Sequence, residues 1–573
     1  MIEIKGIPAS SGIAIGSVMI KKELINPSLQ KIADIDQEKK RFKDARSNAM
    51  KHLYALYEST MVKIGEKEAS IFAAHIALIE DEELIIGVET SIETNSWNAE
   101  WALKLTTDYY ISIFNQMDDP YLKERALDIK DISNRLQRQL NGMGEEEEMM
   151  KTDEPVIIVA HDLTPSDTAQ MDTSKVLGFI TEIGGKTSHT AILARTLEIP
   201  AIVGLHGIVS KVKNDQHLVL DGRDGMVYIE ADQSMIQHFH DEKTKEQQYK
   251  KNLSQLKYTK AITKDGIEIE LVANIGTPED VKNILDKNVH GIGLFRTEFI
   301  YMSRDTLPTE EEQFEAYKKV TEDMKGHPVV IRTLDIGGDK ELKYLEIEKE
   351  MNPFLGFRAI RLCLERVELW KTQLRAILRA SAFGNVKIMF PMISTYKELV
   401  EAKLILDEVK KELTEENIAF NQELEVGMMM ETPAAAIMAD VFAKEVDFFS
   451  IGTNDLIQYT IAVDRMNPLV SHLYSPYDPA VIRLIKKIID AGHQEGIWVG
   501  MCGEAASDQK AIPLWLGMGL DEFSMSASAI LESKWLIQNI SKKDSETLCE
   551  RIMLLNTAAD IEEALRKNID PMK

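Results

Sequence analysis

Residues Asp447–Asp455 read DFFSIGTND. Phe448–Ile451 run together as a largely apolar segment, Gly452 stops it, and the polar pair Asn454 and Asp455 follows at once. A short apolar run with such a break is the pattern of a strand covered on both faces, as in a parallel sheet. The pattern repeats outward: ELVANIG (270–276), GIGLFRTE (291–298), VVIRTLDIG (329–337), FLGFR (354–358), VKIMFPM (386–392), EVGMMMET (425–432), IWVGMCGE (497–504) and EFSMS (522–526). Helical stretches separate these runs. Eight strand–helix units form a (β/α)8 barrel of TIM type, for which about 250 residues plus insertions is the usual size. Nine runs stand between residues 262 and 573, so at least one is not a barrel strand.

Chemistry in such a barrel belongs at the C-terminal ends of the strands. Arg296 follows GIGLF, Arg332 lies in VVIRTLD, Glu431 follows EVGMMM, Asn454 and Asp455 end FFSIGTND, and Cys502 follows WVGM. Arg358 and Arg465 stand in the neighbouring LGFRAIR and AVDRMN. Guanidinium forks match the oxygens of carboxylates and phosphates. One arginine at a strand end is ordinarily a surface ion pair; a set of such residues at one end of successive strands reverses that reading. Glu431 and Asp455 offer hard oxygen ligands, which suit Mg²⁺ or Mn²⁺ better than zinc. Cys502 alone reads as packing behind an apolar run. At a strand end, however, a thiol of ordinary pKa, about 8.5, is a proton donor at neutral pH.

Ahead of the barrel the composition changes twice. The first 30 residues carry short β-branched runs such as GIAIGSVMI (12–20), and strand runs return as PVIIVA (155–160), VLGFIT (176–181), AIVGL (201–205), HLVLDG (217–222) and MVYIE (226–230). From about residue 32 to residue 140 only Gly65, Gly87 and Pro120 interrupt the chain, and FKDARSNAMKHLYALYE (42–58) repeats apolar positions at helical spacing. The simplest account is an all-helical subdomain inserted into a small α/β domain whose first strands precede it. No glycine or proline stands between Gly225 and Gly266, and DEKTKEQQYKKNLSQLK (241–257) reads as a solvated connecting helix. The expected division is therefore residues 1–30 with 145–230, 31–144, 231–261 as linker, and 262–573.

The totals agree with a multidomain α/β protein. Of 573 residues, 44% are apolar and 28% charged, as in soluble globular proteins. A net charge of −26 argues against a nucleic-acid binder that relies on phosphate attraction and suits a partner with a basic face. No run of 18 apolar residues occurs, so no membrane span is expected, and MIEIKGIPASSGIAIGS lacks the plan of a signal peptide. Cys363, Cys502 and Cys549 are too few and too scattered for a disulfide framework or a zinc site. A reduced, cytoplasmic protein is expected.

One further stretch, IGGKTSHTAILAR (183–195), sets His189 at what reads as a helix start. Helix N-termini present unpaired N–H groups that favour phosphate. Gly184 and Gly185 let backbone approach closely, Thr187 and Ser188 offer hydroxyl donors, and a neutral imidazole nitrogen is a nucleophile. A histidine that receives a phosphoryl group fits; a satisfied structural histidine, or a metal ligand lacking obvious partners, fits these residues as well.

GGKTSHTAILAR, GLFRTEF, RTLDIGGDK, NPFLGFRAIR, FPMIS, METPAA, FFSIGTNDLIQYTIAVDR and GMCGEAA stand in this order. Together they resemble enzyme I of the bacterial phosphoenolpyruvate:sugar phosphotransferase system, and the likeness runs from GIPASSGIAIG through the C-terminal region. The resemblance implies a swivelling phosphohistidine α/β domain with an inserted helical subdomain that binds the phosphocarrier HPr, then a barrel that binds phosphoenolpyruvate and dimerises. It implies that His189 takes the phosphoryl group and passes it to HPr. Arg296, Arg332 and Arg465, assisted by Asn454, would hold the substrate's phosphate and carboxylate, with Arg358 nearby. Glu431 and Asp455 would bind Mg²⁺, Cys502 would protonate the enolate to give pyruvate, and Thr187 would support the phosphohistidine.

In the helical subdomain, GEKEASIFAAHIALIEDEEL (65–84) combines apolar residues with Glu66, Glu68, Asp81 and Glu83, a set suited to a basic partner. His75 and Arg125 match family positions there. Because His189 and the barrel lie in separate domains yet must meet one phosphorus atom, the resemblance implies a large swivel pivoting near residues 225–265. A dikinase or synthase built from the same two modules would need a nucleotide-binding domain. The helical block fills the space ahead of GGKTSHT instead, and no GxxxxGK[ST] loop occurs. A regulatory protein that docks HPr without turnover is disfavoured by the intact set of arginines, carboxylates, histidine and cysteine.

Overall fold

A computed structural model describes the chain apart from residues 1, 22–26, 64–65, 117–119, 143–153, 164–166, 168–174, 186–187, 198, 303, 339–341, 346, 349, 468 and 570–573. The chain divides into two units, Met1–Gln248 and Tyr249–Lys573.

The first unit is built on an eight-stranded sheet ordered β1-β8-β7-β3-β4-β5-β6-β2. Its strands are β1 (Ile2–Lys5), β2 (Ile7–Ser10), β3 (Ile13–Ile20), β4 (Val156–Ala160), β5 (Val176–Thr181), β6 (Ala201–Val203), β7 (His217–Asp221) and β8 (Met226–Ile229). The centre, β3-β4-β5-β6, is parallel, and antiparallel pairs finish both edges. Every residue of β4 is buried, which is why VIIVA carries no polar alternation.

Between β3 and β4 the chain leaves the sheet for α1 (Ile35–Lys63), α2 (Glu66–Glu80), α3 (Glu82–Asn95), α4 (Ala99–Asn115) and α5 (Pro120–Leu140). Phe42, Ala45, Ala49, Leu53 and Leu56 recur at three- and four-residue steps along α1. They form a buried stripe that shares a core with Phe72, Ile76 and Ile79 of α2 and with Ile132 and Leu136 of α5. Two more helices accompany the sheet: α6 (His189–Thr196), between β5 and β6, and α7 (Gln233–Gln255), which follows β8. Phe239 of α7 packs with Ile13, Val219 and Tyr228 of the sheet, and Arg223 joins Glu242 at 2.6 Å.

The second unit is a closed, wholly parallel barrel: β9 (Glu270–Ile275), β10 (Ile292–Arg296), β11 (Val329–Arg332), β12 (Val386–Phe390), β13 (Val426–Met430), β14 (Phe448–Ile451), β15 (Trp498–Met501) and β16 (Glu522–Met525), with β16 pairing back onto β9. Leu294, Val330, Met389, Met429, Phe448 and Cys502 share one buried cluster, so the barrel is packed rather than hollow. The ninth run, FLGFR, is not a strand. Pro353–Leu355 form one 3-10 turn, because proline cannot donate to a ladder and Gly356 ends the segment. The start of this unit is fastened to the helix Ile530–Asn539: the Tyr249 ring meets Trp535 edge-on at 5.5 Å, and Gln538 Nε2 donates to the Lys260 carbonyl at 2.8 Å. Lys534 Nζ donates to the carbonyls of Thr259 (2.8 Å) and Lys287 (2.6 Å). No described helix is long and apolar enough to cross a membrane.

Candidate active site

Strand ends gather the predicted residues at one mouth of the barrel. Arg296 and Arg332 are the last residues of β10 and β11 and are register partners, so they stand side by side. Glu431 follows β13, Cys502 follows β15, and Asn454 and Asp455 open the helix Thr453–Ile461 after β14. Two glycines make this crowding possible. A Cβ on Gly452 would lie 2.8 Å from Glu431 Oε2, and one on Gly503 would lie 1.9 Å from Thr453 Oγ1. Met392 adopts a left-handed φ of 57° and aims its N–H at Glu431 Oε1, 2.6 Å away. Such backbone strain, about 1–2 kcal/mol, gathers at functional sites.

Four buried carboxyls and two buried arginines then interlock. Arg332 Nη2 donates to Glu298 Oε1 at 2.6 Å and lies 3.2 Å from Asp335 Oδ2. Arg358 Nη2 donates to Asp335 Oδ1 at 2.8 Å, and its fork faces both oxygens of Asp455 at 3.5 Å. Its Nη1 also reaches the Tyr459 hydroxyl at 3.2 Å. Burial opposes the charge on Arg332, but Glu298 and Asp335 outweigh it and keep the group cationic. The same holds for Arg358 with Asp335 and Asp455. Glu431 is 1% exposed; burial first, then Asp455 and Asp335, pushes its carboxyl well above the usual range. The Nε groups of Arg332 and Arg358 are buried without a partner.

Cys502 is 2% exposed, and burial raises its thiol to about 11 despite a hydrogen bond with Ser450 and the charges of Arg332 and Arg296. It therefore holds its proton at neutral pH. Asn454 exchanges two hydrogen bonds with Glu504, and its carbonyl accepts from the Tyr474 hydroxyl at 3.2 Å. Arg465 is half-buried and hydrogen-bonded to Tyr474.

In the first unit, α6 starts at His189. The Ser188 hydroxyl caps it by accepting from Ala191 N at 3.3 Å, and Thr190 Oγ1 ties it to the Leu163 carbonyl at 2.9 Å. Thr187 and the side chain of His189 lie outside the described residues. At the ends of β4 and β5, His161 Nδ1 and Glu182 Oε2 pair at 2.7 Å beside this loop. In the helical insert, Asp81 caps α3 through Leu84 N at 3.0 Å, and Glu83 is exposed in its first turn. Arg125 lies 3.6 Å from Asp128. His75 is a correction: at 1% exposure it has no surface to offer a partner and instead stands between Asp128 (3.3 Å) and Asp131 (3.6 Å). The side chains of Glu66 and Glu68 lie outside the described residues.

Sequence reasoning missed Glu298, Asp335, Tyr459 and Tyr474. A signal existed for the first two, each an acid two or three residues after a strand-end arginine.

This barrel, with arginine donors and buried carboxyls at one mouth, defines an enzyme that grips a small, multiply charged anion. Comparison with known proteins agrees. Residues 250–542 match the PEP-binding domain of PEP-utilising enzymes, residues 5–125 their N-terminal region and residues 152–225 their mobile domain. The chain belongs to the PEP-utilising enzymes. The phosphoenolpyruvate-protein phosphotransferase of Bacillus sp. (strain S) is 51% identical over 97% of this chain and 96% of its own length. Those of Bacillus subtilis (strain 168) and Listeria monocytogenes are 50% and 49% identical, over 98% and 99% of both chains.

Proposed function

We propose that this phosphotransferase moves the phosphoryl group of phosphoenolpyruvate onto His189 and then onto a histidine of the phosphocarrier HPr, releasing pyruvate as the first step of sugar uptake. The observation that carries this reading is the pair of buried arginines, Arg332 and Arg358, each with an unpartnered Nε, beside two acidic groups and a protonated thiol at one barrel mouth. Unmet buried N–H donors are costly, and an anion with several oxygens satisfies them.

Arg296, Arg332 and Arg465 hold the phosphate and carboxylate of the substrate, assisted by Asn454, with Arg358 completing the positive wall. A neutral ring nitrogen of His189 attacks phosphorus; the P–N bond forms as the P–O bond to the enol oxygen breaks, and the enolate leaves with the electron pair. Cys502 gives its proton to the enolate carbon, and the thiolate is reprotonated from solvent. Thr187 supports the phosphohistidine. Because the enolate is trapped as pyruvate, the transfer runs forward.

A divalent cation fits Glu431 and Asp455: both offer oxygen only, and a cation would draw the raised Glu431 carboxyl back down and hold it ionised. We assign Mg²⁺, with Mn²⁺ as substitute. When bound, it neutralises charge on the phosphoryl oxygens. No group of three metal-ligating side chains stands among the described residues.

The helical insert is the HPr dock: the acidic start of α3, with Asp81 and Glu83, suits the carrier's basic face, and Glu66, Glu68 and Arg125 are further candidate contacts. The barrel unit dimerises. Exposed Met351, Leu355, Met466, Leu469 and Leu473 offer apolar surface for such a contact. The protein works in the cytoplasm. Anchors at Phe239 and Glu242 on one side, and at Tyr249 on the other, narrow the expected swivel joint to residues 243–248. A crosslink that fixes this joint while both half-reactions keep full rate would overturn the swivel.

The decisive experiment is mass spectrometry after incubation with phosphoenolpyruvate and Mg²⁺, comparing the wild type with His189→Ala. The expected result is an acid-labile phosphoryl adduct on His189 that the variant lacks. Pyruvate release without any adduct would make His189 structural and the route wrong.

A further inference from the structure

We propose that Glu298 is a positioning residue for the reaction: it fixes the guanidinium of Arg332 by one nitrogen so that the remaining N–H groups face the substrate. This rests on the reading of Arg332 as a substrate-holding group. Glu298 opens the short helix Glu298–Met302, two residues beyond Arg296, and is 1% exposed. Its partner Arg332 is 6% exposed. Their contact, 2.6 Å between Arg332 Nη2 and Glu298 Oε1, is a buried, charge-assisted hydrogen bond.

The neighbouring residue grips the same arginine at its other end. Thr297 Oγ1 donates to the Arg332 carbonyl at 2.8 Å and itself accepts from Gln373 Nε2 at 3.1 Å. Gln373 Oε1 accepts from Leu334 N at 2.9 Å, so the backbone on both sides of Thr333 is held. Two successive residues after β10 thus fix the main chain and the side chain of Arg332. Asp335 Oδ2 lies 3.2 Å from the same Nη2, while among the described residues its Nη1 meets only the soft sulfur of Met429, at 3.6 Å, and its Nε has no partner. One nitrogen is pinned and the other two are available.

Ion-pair stability alone is a poor reason for a buried carboxylate here. An apolar pair of similar volume is often as stable, because taking both charges out of water is expensive. A second physical argument separates the two possible roles. A carboxylate 2.6 Å from Arg332 competes with an anionic ligand for the same cation. On charge alone, removing it would tighten substrate binding. If Glu298 positions Arg332, removing it releases a long side chain with much rotamer freedom, and transfer suffers.

The test is steady-state kinetics of the full-length chain with phosphoenolpyruvate, using Glu298→Gln, Glu298→Asp, Arg332→Lys and the doubles that combine each Glu298 change with Arg332→Lys. Glu298→Gln is expected to lower kcat/KM by about 30-fold with KM raised, since a displacement near 1 Å at a reacting group has effects of this order. Glu298→Asp keeps the charge but withdraws it by one carbon, so a smaller loss, about fivefold, is expected. With Arg332→Lys in place, either change is expected to have an effect below about threefold, because no fork remains to position.

A lowered KM in Glu298→Gln, or kcat/KM within threefold of wild type, overturns the proposal. So does an equal loss in both arginine backgrounds, which would make Glu298 a general support of the barrel. If Glu298→Gln does not fold, judged by circular dichroism and thermal melting, Glu298→Asp alone and with Arg332→Lys carries the same test. Wild-type kcat/KM in Arg332→Lys would instead remove the substrate role of Arg332, and the proposal with it.

Discussion

Glu522 opens β16, at the mouth of the barrel opposite Cys502, and one of its oxygens is buried without a partner. Burial, and then Glu270, its register partner in β9, push its carboxyl up to about 8. In the unfolded chain a glutamate titrates near 4.3, so only the folded state keeps this proton between about pH 4.3 and 8. The contribution of Glu522 is therefore fully present below the unfolded value and is lost as pH rises toward 8. Glu522→Gln, which has no proton to lose, should melt higher than wild type at pH 8, with the difference shrinking toward pH 4.5. A melting difference that does not change with pH would refute this. At the same scale, Gly503→Ala should cut kcat/KM at least about tenfold, because the added carbon collides with Thr453 beside Asn454 and Asp455. Normal turnover by this variant would show that the crowding is tolerated. The strand-end residues at this mouth were legible because a barrel puts its strand ends together. Glu298 and Asp335 carried a signal that went unread, an acid two or three residues after a strand-end arginine, whereas Tyr459 and Tyr474 were not legible, since their partners lie 101 and 20 residues away in the chain.

Elements divide along the same line. Six of the eight strands in the first unit were readable as separate runs, all but the short antiparallel edge strands β1 and β2. Eight of the nine runs read in the second are strands, because buried parallel strands are nearly continuous apolar runs. FLGFR imitates one and fails through Pro353 and Gly356, yet its Arg358 still reaches Asp335. His75 misled for a related reason: it matched a family position in the docking subdomain, while the packing of α2 against α5 buries it. The helix Ile530–Asn539 carries a grip that sequence could not reveal, with Lys534 held by carbonyls of two separate segments. Lys534→Ala should speed amide hydrogen exchange in residues 256–260 and 285–288 and lower stability by about 2 kcal/mol, the usual range for charged hydrogen bonds. Unchanged exchange there would mean that Trp535 and Gln538 suffice.

Across the whole molecule, a charge of −26 must be reconciled with a barrel mouth that binds an anion. Burying the arginines helps locally, since buried charges are screened little by salt. The acidic, exposed start of α3 is under the opposite rule. Association with a basic phosphocarrier should therefore slow by about tenfold between 0.05 and 0.5 M salt, measured by stopped flow, as steered encounters do. A rate constant flat in salt would remove charge from the docking argument. The connection through α7 has a different consequence. Glu242 and Tyr249 are seven residues apart, about 10 Å of helix, and each is fastened to its own unit. On the proposed route, a nucleophile tethered through so short a joint would meet the barrel at a local concentration on the order of millimolar, whatever the amount of protein in the cell. Charging of His189 by its own barrel would then not depend on encounter with a second molecule. Delivery to a free carrier does, so in a dilute extract the phosphorylated form should accumulate.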